Sequence, residues 1–364
     1  IVRSLGRAGV EVHVAPANFA SPALKSRYIA GTHYLPFWMD DGAEWLQAME
    51  ALLRQERFDL VIPCNETTLL PIRHHRQRLQ RLSRLAIPED HAIDVLFDKH
   101  ATRELARAVG VPVSPGRLAR PDDVAEAVLA ELGAPLVIKE RQSYAFDDLH
   151  ARNKVQFAGS AAELRELLAN PHPAGLLYEA FFPGRGACYS VLASHGKVLQ
   201  AFEHHRQREN GASGSYYRVS APFTPALAEG CAAMIAALGY TGVAMFEFRL
   251  DSRSGQWLLL EVNARPWGSM PLPVGLGVDF PYRWYALLVD GTETPAVAYR
   301  AGHFGHPLVP DLWASLSDAR AAHAGLGGTL KLVASRLAEF RRVFTGREIQ
   351  DVLVRDDPAP GLHE

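Results

Sequence analysis

Cysteine is scarce in this chain. The three present, Cys64, Cys188 and Cys231, are odd in number and far apart. They lack metal-ligand spacing and cannot form a paired framework, which points to a reducing compartment. No apolar run approaches the roughly 18–20 residues needed to span a bilayer. No signal peptide opens the chain either, so the cytosol is the expected location. Neither sign of charge is in excess: a formal net charge of -2 and a pI near 6.8 leave no electrostatic footprint for nucleic acid. The one basic stretch, Arg73–Arg84 (RHHRQRLQRLSR), has no interleaved aromatics for base stacking and reads as a solvated helix face. Internal repeats, low-complexity tracts and a nucleophilic Ser or Cys triad are also missing.

What is present suits a globular protein of two or three domains: 364 residues, 48% of them hydrophobic, supply a sizeable core. The first residues, IVRSLGRAG, read as the second half of a helix ending at Gly9, and EVHVAP as a strand. A helix feeding a parallel strand normally follows another strand, so a first strand and its loop are expected to be missing from the sequence in hand. Val10–Ala15 and Phe58–Cys64 read as strands and Gly42–Glu56 as a helix, an α/β pattern with a parallel sheet. Ligands sit at the carboxyl ends of such strands, which makes Asn65 and Glu66 candidate substrate contacts. Helix capping by Asn65 or Thr67 is the competing expectation.

A second unit starts near Pro88. Asp98 is placed to cap the helix KHATRELARAV, which stops at Gly110. A helix at Asp122–Leu132, the buried strand APLVIKE with Lys139, a helix at Ala161–Ala169 and the bend LLYEAFFPGRG follow. The pattern then turns antiparallel, with strands around Tyr189–Ser194, Val198–His205 and Tyr216–Ala221, a helix at Pro225–Leu238 and a hairpin. The fold class is therefore α/β, becoming α+β in the second half. Expected divisions are an α/β domain over 1–88, a central part over 89–183, a metal-bearing part over 184–300 and a partly helical extension over 301–364. In that extension Leu330, Leu332, Val333, Leu337 and Phe340 line one side of a helix, expected to pack on the body or on a second subunit in a homodimer.

The hairpin VAMFEFRL–DSRSGQ–WLLLEVN carries the strongest signal. Side chains alternate faces along a strand, so Met245, Glu247 and Arg249 share one face, as do Glu261 and Asn263. With the loop taken as Asp251–Gln256 and residues paired so that their numbers sum to 508, Glu247 lies opposite Glu261 and Met245 opposite Asn263, Cβ atoms roughly 4.5–5.5 Å apart. A slip of one residue would put the carboxylates on opposite faces. Two like charges flanked by apolar residues call for a raised pKa or a divalent cation, and two carboxylates with an amide suit Mg²⁺. Next comes Ala264-Arg265-Pro266-Trp267-Gly268-Ser269. Arg265 offers a permanent planar charge for phosphate or a developing oxyanion, and Gly268 and Ser269 a turn that brings backbone near a ligand.

At E-V-N-A-R-P-W-G-S the sequence resembles the ATP-grasp superfamily, in particular its carbamoyl-phosphate-synthetase-like and carboxylate–amine ligase branches. The resemblance runs in order from the truncated Rossmann-like N-terminal domain to about residue 295. It implies ATP and Mg²⁺ (or Mn²⁺), with Glu247, Glu261 and Asn263 as metal ligands and Arg265 at the phosphate and reacting acyl group. Lys99, in D-K-H, resembles the first nucleotide lysine, and Lys139 the strand lysine at the α/β-phosphates. Tyr178–Gly184 resembles the adenine hinge, where Ala180 and Phe182 would offer backbone and Glu179 would accept from the amino group. The stretch Glu203–Ser215 resembles a substrate-facing loop, with Arg206 and Arg208 as anion contacts. The chain departs from many relatives at Arg141–Lys154, where a glycine-rich lid is replaced by RQSYAFDDLHARNK; Arg141, Ser143 or Arg152 would then meet the phosphates.

The implied activity is ATP-dependent joining of a carboxylate to an amine through an acylphosphate, with small-molecule carboxylate and amine substrates and no nucleic-acid partner. The competing expectations are a bicarbonate-phosphorylating carboxylase or carbamoyl-type enzyme, and a non-catalytic nucleotide-binding protein on the same fold.

Overall fold

The computed structural model describes residues 1–169, 175–209, 215–307, 327, 334–335, 339, 342 and 345–363. They form two compact units, one of Pro36–Ala201 with Thr224–Trp267, the other of Ile1–Leu35, Phe202–Phe223 and Gly268–Glu364. The apolar helix side predicted over 330–340 lies outside the described residues. Among the described residues no helix is long and apolar enough to cross a membrane.

The larger unit begins with the helix Ala43–Glu56 and the parallel strands Leu60–Val61 and Arg84–Leu85. The strand predicted over Phe58–Cys64 is only two residues long. Pro63, which has no N–H to give a ladder, lies just beyond it. The basic stretch after it does not form one solvated helix face. Its helix Glu66–His74 contains Pro71 and ends at His75, and a short helix Arg76–Leu79 follows. Arg73 and Arg76 pair with Asp90, and Arg78 with Glu50.

Asp98 caps the helix Lys99–Ala108 as expected, its carboxylate accepting from the N–H groups of His100 (2.8 Å) and Ala101 (3.1 Å). A four-stranded antiparallel sheet follows, ordered Gly116–Leu118, Leu176–Ala180, Leu136–Glu140, Gln156–Ala158. The apolar sides of helices Ala125–Leu132 and Ala161–Leu168 cover it. The third layer is the antiparallel set Trp257–Asn263, Gly242–Leu250, Arg185–Ser194, packed on the helices Lys99–Ala108 and Pro225–Ala237.

The smaller unit holds the helix Val2–Arg7 and the parallel strands Val12–Val14 and Ile29–Thr32. Its strand Ser215–Ser220 pairs antiparallel with His204–Glu209 and with Phe304–His306, which in turn runs parallel to Glu348–Gln350. The end of the chain is clasped to the beginning: the Asp357 carboxylate accepts from Arg3 Nε (2.8 Å), Ser26 Oγ (2.7 Å) and the Arg27 N–H (2.9 Å).

Candidate nucleotide and metal site

The hairpin places Glu247 opposite Glu261 and Met245 opposite Asn263. It does so through a bulge that the loop length does not reveal. Next to the loop, Leu250 faces Trp257 and Phe248 faces Leu259, a register that carried on would set Glu247 against Leu260. An extra residue on the returning strand, between Leu259 and Glu261, restores the pairing. Phe246 and Phe248 are buried in the core, so alternation leaves the carboxylates on the other face.

Asn263 sits between the two acids. Its Nδ2 donates to Glu247 Oε1 at 3.0 Å and to Glu261 Oε1 at 3.4 Å, while its Oδ1 accepts from Arg265 Nη2 at 2.8 Å. An N–H donor thus lies where a cation would neutralise the pair. Turning the amide about its own axis presents Oδ1 instead, completing an all-oxygen set that fits a hard divalent ion.

Arg265 has a second anchor. Its Nε and Nη2 donate to Glu66 Oε1 at 3.2 and 3.0 Å, and its Nη1 to the Pro266 carbonyl at 3.0 Å. Glu66 is the first residue of its helix, while Asn65 is spent on capping, accepting from the Thr68 N–H (2.9 Å) and the Thr67 hydroxyl (2.9 Å). The two adjacent candidates therefore do different things: Asn65 caps, and Glu66 reaches Arg265.

Lys99 joins Glu66, Ser143, Glu261 and Asn263 around one small cavity. Its Nζ donates to Ser143 Oγ at 3.3 Å, bringing the glycine-free loop to the site. Burial lowers the pKa of its ammonium; Glu261 and Glu66 oppose the shift, and Lys139 and Arg152 add to it. Arg141 bonds Asp98, with its Nε at 2.9 Å. The loop is anchored by aromatic packing in place of glycine flexibility. Phe146 lies 5.1 Å from Trp38 and 5.0 Å from His74, ring centre to ring centre. The Trp38 ring crosses Gly42, where a Cβ would come within 2.2 Å of it.

Lys139 belongs to a buried triad that sequence reading missed. Its Nζ lies 2.5 Å from Glu179 Oε2, and Arg103 Nη1 donates to Glu179 Oε1 at 2.5 Å. Arg103 Nη2 also donates to the Ser114 carbonyl at 2.6 Å, beside Gly116, where a Cβ would stand 3.1 Å from it. Burial pushes the Glu179 carboxyl upward, but the Lys139 and Arg103 charges outweigh it and hold the group below the ordinary glutamate range. The available signal was helical spacing: Thr102, Arg103 and Ala106 share the buried stripe of a helix that opens with Lys99.

In the predicted hinge, both main-chain groups of Ala180 are engaged, its N–H donating to Pro115 O (2.8 Å) and its carbonyl accepting from Ser114 Oγ (2.5 Å). Both Glu179 oxygens face cations. Phe182 follows the strand end, beside the half-exposed Phe181. Arg206, Arg208 and Ser269 lie in the other unit. There Arg208 bonds both Glu339 oxygens at 2.9 Å and stacks 4.2 Å from the Tyr217 ring centre. Arg206 is buried beside His204, whose pKa is lowered by burial and by the Arg218 and Arg206 charges.

Carboxylates paired across the hairpin, an amide that joins them and an arginine two residues on stand on a fold of the ATP-grasp type. Residues 173–304 match the family described as ATP-grasp in the biosynthetic pathway with Ter operon. The chain is 30% identical over 206 residues to a D-alanine–D-alanine ligase of Gluconobacter oxydans (strain 621H), covering 50% of this chain and 63% of that protein's length. Solved structures that share the fold include the following two. The biotin carboxylase domain of Hydrogenobacter thermophilus 2-oxoglutarate carboxylase, crystallised with MgADP, ADP and bicarbonate, is 18% identical with a TM-score of 0.62, over 83% of this chain and 70% of that one. An L-amino acid ligase from Bacillus licheniformis is 18% identical with a TM-score of 0.58, over 81% and 74%.

Proposed function

We propose that the chain is an ATP-dependent ligase that joins a carboxylate to an amine through an acylphosphate. The observation that carries this is the cluster Glu247–Asn263–Glu261, bonded through Asn263 to Arg265 and sharing a cavity with Lys99. Glu247, Glu261 and Asn263 would hold Mg²⁺ or Mn²⁺, which when bound shields the charge of the triphosphate. Lys99 and Lys139 add positive charge along the phosphates, and the Glu179–Phe182 segment borders the adenine.

A substrate carboxylate oxygen attacks the γ-phosphorus, the bond to the β–γ bridging oxygen breaks, and ADP leaves. The amine nitrogen then attacks the acyl carbon, phosphate departs and the nitrogen sheds a proton. Arg265, held in plane by Glu66 and Asn263, faces the developing oxyanion without reorganising. Catalysis is mainly positioning and charge neutralisation.

The test is ADP release from purified protein with ATP and a panel of acids and amines. It should require both partners and give a product with the mass of acid plus amine less water. Release driven by bicarbonate alone would identify a bicarbonate-phosphorylating enzyme instead. ATP binding without phosphate release from any pair would identify a non-catalytic binder.

A further inference from the structure

A cleft of about 540 Å³ opens in the larger unit between the helices Glu66–His74 and Asp90–Leu96 and the loop 142–146. That volume falls within the roughly 300–1,000 Å³ range of small-molecule sites. The cleft shares Glu66, Phe97 and Ser143 with the small cavity that holds Lys99, Glu261 and Asn263. A molecule lying in it would therefore reach the reacting centre with one end.

We propose that this cleft binds the amine substrate and selects one with an apolar or aromatic body. The inference rests on the ligase function proposed above. The inner end supplies the sign of charge. Both bonds from Arg265 fall on Glu66 Oε1, which leaves Oε2 able to accept from an ammonium. Of the charged groups along the walls, Glu66, Asp90, Asp94 and Asp98 are acidic and only Arg73 is a permanent cation. Arg73 is itself paired with Asp90 and Asp94. Asp90 is also paired with Arg76, and Asp98 with Arg141, so the preference for an ammonium rests on the inner Glu66 Oε2 rather than on the outer carboxylates.

The walls supply the second half. Leu70, Phe97 and Phe146 give apolar surface, and burying a substrate's hydrocarbon against it gains roughly 25 cal/mol per Å². The loop wall is preformed. Phe146 is packed against Trp38 and His74, and the Asn153 N–H donates to the Ser143 carbonyl at 2.9 Å. An ordered wall lowers the cost of binding a rigid aromatic group.

The probes are β-phenylethylamine and L-phenylalanine, with glycine and L-glutamate for comparison. Each is measured by calorimetry on the full chain in the presence of MgADP, and as KM in ADP release. The aromatic amines should bind at least tenfold tighter than L-glutamate. Leu70→Trp, which fills the cleft from a partly buried position on its wall, should weaken the aromatic amines at least tenfold and leave MgADP binding within twofold. Leu70→Ala, which enlarges it, covers the case in which the tryptophan variant fails to bind MgADP; it should shift preference toward bulkier amines. Unchanged amine affinity and KM in both variants would overturn the assignment, as would a preference for L-glutamate or no binding of any amine. Aromatic amines that bind and respond to Leu70 while no acid supports ADP release would leave the cleft assignment standing and remove the ligase function.

Discussion

One oxygen of Glu66 accepts two hydrogen bonds from Arg265, from Nη2 at 3.0 Å and from Nε at 3.2 Å. The same Nη2 also donates to Asn263 Oδ1 at 2.8 Å. The arginine is thus fixed between a helix start and the carboxylate hairpin, and only a planar fork can make all three bonds at once. A residue read from sequence as a substrate contact also sets the plane of the residue read as the oxyanion partner.

Arg265→Lys keeps the charge and loses the fork. We expect kcat to fall by roughly 10²–10³-fold, the range for losing one preorganised oxyanion donor. KM for ATP should change little. Steady-state kinetics with the best acid–amine pair decides it, and a kcat within threefold of wild type would remove Arg265 from the chemistry.

Glu261→Gln removes one carboxylate from the pair and leaves the amide bridge a neutral acceptor in place of a charged one. Turnover should be abolished, with the circular dichroism spectrum and melting temperature close to wild type. Chelating divalent metal should give wild-type protein the same loss. Wild-type turnover by the variant would sink the metal assignment.

How much of this was legible depends on the range of the interaction. The face shared by Glu247, Glu261 and Asn263 could be read from alternation along two adjacent strands, because both sides of the contact lie within one hairpin. The bulge that secures their pairing could not, since nothing between Leu259 and Glu261 marks an extra residue. The cap at Asp98 was legible because capping is local. Arg103 was not, because its partner Glu179 is 76 residues away and an arginine in a helix more often faces solvent. The glycine-free loop shows the same limit: its composition signals a departure, while its anchor is the packing of Phe146 on Trp38 and His74.

Arg103 should act on the nucleotide site through Glu179. Arg103→Met leaves the Ser114 carbonyl without that donor and Glu179 facing Lys139 alone, in a site where Arg103 is 3% exposed and Glu179 4%. Breaking a buried ion pair in this way costs on the order of 3–5 kcal/mol. A freed Glu179 should also draw on Lys139, so KM for ATP should rise more than kcat falls. Arg103→Lys, which keeps the charge, should recover part of the KM. Loss of stability with an unchanged KM for ATP would confine Arg103 to a structural role.

The same triad has a pH signature whose sign follows from the lowered Glu179 pKa. A carboxyl held below its ordinary value of 4.5 contributes its full stabilisation above that pH and loses it as the pH falls through the lowered folded value. Glu179→Gln has no such proton to take up and leaves two buried cations poorly paired at every pH. Denaturant unfolding of both proteins should therefore show a wide stability gap at pH 7 that stays flat down to about pH 5. Below 4.5 the gap should narrow as the wild-type carboxylate protonates. A gap independent of pH down to 3 would mean that Glu179 is not the ionised centre of the triad.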